Sequence, residues 1–321
     1  MTETRSERSA SRVPWLAVLV ALASCSSDDK LEVLAVVEGE AIDLQVDDRG
    51  LAWIDDMPGQ GYKVVYLPHG GKPTVLGELP GNARDLELGS SHVYWAEGKR
   101  ILRAIRNRAG YEQILDKEET PDVIHGLALH DGYLYWGTWN RVERMAEAGG
   151  EVREVWRHPS EIDGEAVSQP VLWKLISTPD QVVVAAIDPE TMVTIWSLQP
   201  DGSARLLAKS SGLFQNLVVG ADRILWLMLE GRDRDHLDFR TYAAPLAGGT
   251  ATPLDAVRGK PLFADGDAVY WSDSRGTQRT DPAGTKRVGP EAWALRRAGR
   301  RLYGEFPVEG PGCRIAILGG N

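Results

Sequence analysis

The 321-residue sequence predicts an all-β chain built of repeated four-stranded units. Three observations predict it: a recurring tryptophan, an alternating apolar run ahead of each one, and turn residues between the runs. Eleven Trp against four Phe, with 34 Gly and 18 Pro, describe many strands joined by tight turns, and no long run has helical periodicity.

The repeat aligns on Trp53, Trp95, Trp136, Trp226 and Trp271, with first gaps of 42 and 41 residues. The gap of 90 between Trp136 and Trp226 fits two units, the hidden one with Ala185 at the anchor place. A last unit puts Gly304 there, giving seven. Nine residues before the anchors stand Leu44, Leu86, Leu127, Ile176, Leu217, Leu262 and Leu295. The place two residues later is mostly apolar too, which is the period of a strand. Turns such as Asp131-Gly132 and Asp265-Gly266 lead into a second strand ending on the aromatic pair. A third strand, a Gly turn and a short fourth strand complete each unit. Four antiparallel strands per ~40–45 residues is the blade of a β-propeller. Seven blades are expected, with six and an irregular end as the alternative. The Trp set is expected between blades as core: burying one removes roughly 150–250 Å² from water, about 4–6 kcal/mol before entropy.

The sequence ends just after a third strand at residues 314–318, so the last blade lacks its fourth. Residues 30–37 (KLEVLAVV) have the pattern of that missing strand. The N-terminal strand is therefore expected to close the ring and leave no open edge.

The aromatic pair followed by polar residues, best in Tyr270-Trp271-Ser272-Asp273, resembles the YWTD propellers. Ala52-Trp53-Ile54-Asp55 and Tyr94-Trp95-Ala96-Glu97 are weaker copies. The likeness spans nearly all of residues 30–320 and departs from that family, which has six blades.

Ahead of the propeller stands an export signal. Arg5, Arg8 and Arg12 form a positive start, and residues 13–23 (VPWLAVLVALA) an apolar stretch of 11, too short to span a bilayer. Leu22-Ala23-Ser24-Cys25 then resembles the lipobox of bacterial lipoproteins: an aliphatic residue, two small ones, and a Cys to be lipidated. The resemblance implies a signal peptide over 1–24, acylation at Cys25, a short linker over 25–29 and a single propeller domain over 30–321. Several acyl chains anchor a protein stably where one is marginal. Ser26 after the Cys implies the outer membrane, at its periplasmic or surface face. With Cys25 lipidated, Cys313 has no partner, and a buried place in a strand is expected for it.

The charge of −10 becomes −11 without residues 1–24 and disfavours nucleic acid, which calls for a basic footprint. His69, His92, His125, His130, His158 and His236 make no metal-ligand spacing, so no metal and no cofactor are expected. No Gly-x-Ser-x-Gly is present, and Gly231-Arg232-Asp233-Arg234-Asp235-His236 reads as a solvated hairpin loop.

The residues eleven and ten before each anchor open the innermost strands, at one mouth of the central channel. Asp43, Arg84, Asp85, His125, Lys174 and Asn216 are the candidate binding residues there, and no catalytic residue is assigned. Their charges offset one another, so the expected ligand is neutral and polar or zwitterionic. The long connection at 157–172 is expected over the same face. The leading expectation is a monomeric, membrane-anchored binding scaffold for a protein, peptide or glycan. The alternative is a hydrolase or lyase at the channel mouth, which requires His125, Asp85 and Lys174 within about 4 Å of one another.

Overall fold

The computed structural model describes residues 31–117, 123–167, 170–188, 192–230, 238–308 and 312–318. The signal, Cys25, the loop at 231–236 and the final Gly319-Gly320-Asn321 lie outside them. Among the described residues there is no helix, and seven four-stranded antiparallel sheets form the propeller. The innermost strands are Glu40–Val46, Ala83–Leu88, His125–His130, Val171–Ser177, Leu213–Val219, Lys260–Asp265 and Ala294–Ala298 in blades 1 to 7. Seven blades resolve the choice between seven and six.

The ring closes as the alternation predicts. Leu31–Val37 lies against Cys313–Leu318 as the outer strand of blade 7, from Leu31 opposite Leu318 to Val37 opposite Cys313. The Cys313 thiol is fully buried, and burial pushes it up to about 11, so it is an inert core group.

Seven apolar clusters hold the molecule, one between each pair of consecutive blades. Trp53, Trp95, Trp136, Trp226 and Trp271 each face the preceding blade, and all are buried. Gly304 stands in the anchor place of blade 7 because its neighbours fill the volume. A Cβ there would lie 2.8 Å from both Leu295 and the Phe306 ring. Phe306, two residues on and on the same face, serves as that blade's aromatic.

Blade 4 departs from the expected alignment by one residue. Leu127 pairs with Trp136 and Leu217 with Trp226, and in blade 4 the equivalent pair is Leu175 with Val184. Val184, not Ala185, holds the anchor place, and Leu175, not Ile176, is the buried inner leucine. A slip of one flips every side chain of a strand, and the run Val182–Ile187 has no aromatic to mark its face. Ala185 instead looks toward blade 5, where it backs Trp226. Lys174 thereby becomes the structural equivalent of Asp43, Asp85 and Asn216.

The connection at 157–172 compensates for the missing tryptophan. It forms the small hairpin of Glu161–Ile162 and Glu165–Ala166, which drives Ile162 and Val167 into the interface of blades 3 and 4. Trp156 and Trp196 complete that core, their rings 5.5 Å apart. His158 bonds Thr194 at 2.9 Å and Lys209 meets Glu165 at 2.6 Å, pinning both ends. The described part of the segment wedges between blades, and none of its residues lines the central cavity.

Candidate functional site: the channel mouth

The innermost strands of blades 1 to 6 all carry a bulge near their opening, where the ladder skips a residue. In blades 1 to 3 the bulge is left-handed, with φ of 53° at Asp43, 54° at Asp85 and 64° at Gly126. Asp tolerates this conformation because its short polar side chain finds a local partner. Here the partner is the next blade. Asp85 N–H donates to Asp43 Oδ2 at 2.7 Å, and Gly126 N–H donates to Asp85 Oδ2 at 3.1 Å. Each bulge carboxylate thus takes the equivalent backbone N–H one blade on. The series stops at Gly126, where a Cβ would lie 2.7 Å from the Leu175 nitrogen and no side chain fits.

The second oxygens of the two carboxylates face the channel. Lys174 reaches from blade 4 to place its ammonium 3.6 Å from Asp43 Oδ1 and 3.5 Å from Asp85 Oδ1. Burial opposes the Lys174 charge, but these two carboxylates outweigh it and raise its pKa. Burial pushes the Asp85 carboxyl up, against the pull of Lys174. On the far side, Asn216 donates to the Pro261 carbonyl at 2.7 Å and Lys260 to the Trp293 carbonyl at 3.1 Å.

These strands enclose a cavity of about 450 Å³ along the ring axis, lined by Asp43, Asp85, Lys174 and Asn216 among others. Two of the six candidate residues stand outside that lining. Arg84 turns sideways to donate to the Ile124 carbonyl at 2.6 Å. His125 sits edge-on to Trp139, ring centroids 6.5 Å apart, its pKa lowered by burial and by Arg84. Asp85 and Lys174 meet, but His125 forms no ion pair or hydrogen bond with either, so the three-group cluster required for the catalytic alternative is not assembled.

Sequence reasoning missed the charged groups deeper in the channel: Glu87, Arg296 and Glu305. Glu87 and Arg296 stand eight residues before their anchors, each next to a buried leucine, Leu86 or Leu295. That parity was the available signal, since Leu86 and Leu88 fix which way Glu87 points. Glu305 gives no such signal. It lies on a second strand and reaches the cavity because its ladder partner is the small Ala294. Burial pushes both Glu87 and Glu305 up to about 8.

The rim is apolar on one side. Trp139 and Trp173 are about half exposed, at 47% and 54%. They adjoin, since Leu172 N–H bonds the Trp139 carbonyl at 2.8 Å. Leu213 and Phe239, also exposed, sit at the same end of blade 5, in one cross-strand row through Leu229.

No protein-family model matches the sequence, and no curated protein matches it. Solved structures match its fold. The WD40 domain of Neurospora crassa Pan2 superposes with a TM-score of 0.64 at 12% identity, over 92% of this chain and 98% of that one. BamB from Moraxella catarrhalis gives 0.57 at 12% identity, over 93% and 98%. The acylaminoacyl peptidase of Pyrococcus horikoshii also gives 0.57 at 11% identity, over 90% of this chain and 52% of that one. At such identities the likeness is one of fold alone, and the fold hosts both enzymes and other proteins. The chain is a seven-bladed β-propeller.

Proposed function

We propose that this protein is a monomeric, non-catalytic binding scaffold, held at a bacterial membrane by lipid on Cys25, that docks a protein partner on its mouth face over blades 3 to 5. The observation that carries the docking is the exposed arc of Trp139, Trp173, Leu213 and Phe239 at one end of those blades. Protein-contact patches are enriched in aromatic residues, and contiguous exposed apolar surface marks interaction sites. The aliphatic Leu213 in the arc favours a protein surface over a glycan, which stacks on flat rings. The groups at the mouth support a structural role, since Asp43, Asp85 and Asn216 hydrogen-bond neighbouring blades rather than poise a nucleophile. Anchoring rests on Leu22-Ala23-Ser24-Cys25 behind its charged and apolar segments. On this reading residues 1–24 are removed and 25–29 tether the propeller, at the outer membrane.

The test is cross-linking in envelope membranes with the anchored protein and with its Trp139→Ser/Trp173→Ser variant. Hot-spot aromatics typically cost more than about 2 kcal/mol on truncation, so capture of the partner should fall more than tenfold with the melting temperature unchanged. Equal capture by both proteins refutes the docking face. A glycan in place of a protein on the parent refutes the partner class. A Cys25 found without acyl chains by mass spectrometry refutes the anchor.

A further inference from the structure

The channel cavity has two unlike walls. Gln45 and Glu87 from blades 1 and 2, with Arg296 and Glu305 from blade 7, make one side polar. The other side, from blades 4, 5 and 6, carries the apolar Ile176, Val218 and Phe263 together with Lys174, Ser177, Asn216 and Lys260. The lining carries five carboxyl groups (Glu40, Asp43, Asp85, Glu87 and Glu305) against three cations (Lys174, Lys260 and Arg296), a formal charge of −2.

The cations already have partners. Lys174 is taken by Asp43 and Asp85, Lys260 by the Trp293 carbonyl, and Arg296 donates to the Leu295 carbonyl at 2.9 Å. Of the three remaining acids Glu40 is exposed to solvent, which leaves Glu87 and Glu305 inside. Glu305 is only 3% exposed, yet its Oε1 has no hydrogen-bond partner among the described residues. An orphaned carboxyl oxygen inside a protein is costly and calls for a donor. Glu87 likewise has no hydrogen bond or close ion pair there and faces the same space.

We propose that the cavity binds an aliphatic diamine, its ammonium groups held by Glu87 and Glu305 and its methylene chain lying on Ile176, Val218 and Phe263. Two positive charges cancel the formal −2 of the lining. Ammonium N–H groups are the donors that Glu305 Oε1 lacks, and the aromatic face of Phe263 suits a nearby cation. A volume of about 450 Å³ falls within the range of small-molecule sites. This site is separate from the docking arc and does not depend on it.

Binding is linked to protons, with a definite sign. Glu305 is faced by Arg296 of its own blade, Asp43 of blade 1 and Lys260 of blade 6, and accepts a bond from the Leu44 backbone. Glu87 is faced by Lys174, Arg296, Asp43 and Asp85. With both pushed up to about 8, the empty site holds protons at neutral pH, and the ligand's charge expels them. Affinity therefore rises from about pH 6 through about 8 and then levels until the amine itself deprotonates.

The experiment is calorimetry on the mature chain with putrescine, with butylamine and butanediol as controls. Putrescine should bind, butylamine at least about tenfold more weakly, and butanediol not at all. Putrescine affinity should strengthen by more than about a hundredfold between roughly pH 6 and 8.5, since two protons are expelled, with proton release seen by comparing buffers. Glu305→Gln and Glu87→Gln should each weaken binding more than about tenfold. Their melting temperatures near pH 6 should match the parent's, because glutamine is isosteric with the protonated carboxyl. The Trp139→Ser/Trp173→Ser variant should bind putrescine as the parent does, which separates this site from the docking face. Absence of putrescine binding, equal binding of butanediol, affinity indifferent to pH, or full binding by both Gln variants each overturn the proposal.

Discussion

Blades 1 and 2 and blades 5 and 6 solve the same problem with opposite chemistry. In the first pair a bulge carboxylate, Asp43 or Asp85, accepts the backbone N–H of the following blade. In the second the amide of Asn216, next to the bulged Gln215, donates to the carbonyl of Pro261. The difference follows from the neighbour. Proline has no N–H, so an acceptor facing residue 261 would find no donor. The backbone follows the same division: Asp43 and Asp85 are left-handed, while Asn216 has no positive φ. At these three openings the side chain is matched to what the next blade's backbone offers, an N–H at Asp85 and Gly126 and a carbonyl at Pro261.

Position in the repeat thus matters more than residue identity, and closure of the whole ring is the largest test of that. Blade 7 borrows Leu31–Val37, whose loss strips the partner strand from Cys313–Leu318. Deleting residues 30–37 should abolish a single cooperative melting transition and expose an aggregating edge, read by calorimetry and light scattering. A deletion variant that melts like the parent would mean that the inter-blade cores alone define the ring.

Much of this was legible and some was not, for identifiable reasons. The anchors and inner leucines announce themselves because bulky apolar residues recur at a fixed spacing and all are buried. The closure strand is legible because a blade one strand short leaves an edge. Blade 4 misled because VVVAA presents the same surface in either register, and only pairing with Leu175 fixes it. Of the six mouth residues, Asp43, Asp85, Lys174 and Asn216 line the cavity, while Arg84 and His125 turn away from it. Nothing local distinguishes a carboxylate aimed at a ligand from one aimed at Gly126 N–H. Glu305 was invisible because it reaches the cavity past a small residue of another strand.

A middle-sized effect separates the carboxylate latch from ordinary surface charge. Asp85→Ala removes the acceptor for Gly126 N–H and one of the two partners of Lys174. Breaking a buried pair costs about 3–5 kcal/mol, but Lys174 is a third exposed and keeps Asp43, so about 2–3 kcal/mol is expected in denaturant melts. Asp85→Asn keeps an oxygen for Gly126 and loses only the charge, so its cost should be about half as large. If both variants melt as the parent does, the carboxylate is not a latch and is free to serve a ligand.

The smallest effect tests the complementarity itself, through a pair of substitutions that should partly cancel. Asn216→Asp turns a donor into an acceptor facing the Pro261 carbonyl, which is 2.7 Å from the present amide nitrogen. Two acceptors at that distance repel, and a desolvated carboxylate without a donor adds to the cost, so a loss of about 1–3 kcal/mol is expected. Pro261→Ala alone supplies an N–H that Asn216 does not need, while its carbonyl still receives the amide. Its loss should be under about 1 kcal/mol, chiefly from the looser unfolded chain. Together the two changes restore the donor–acceptor pairing of blades 1 and 2, with the introduced carboxylate at position 216 offered the new N–H at residue 261. The double variant should then recover about 1 kcal/mol relative to the sum of the singles, a coupling measurable by a double-mutant cycle. Strict additivity would show that blades 5 and 6 tolerate either chemistry and that the match to proline is coincidental. Recovery would show that each inner-strand opening is chosen by the backbone it meets, one blade further round the ring.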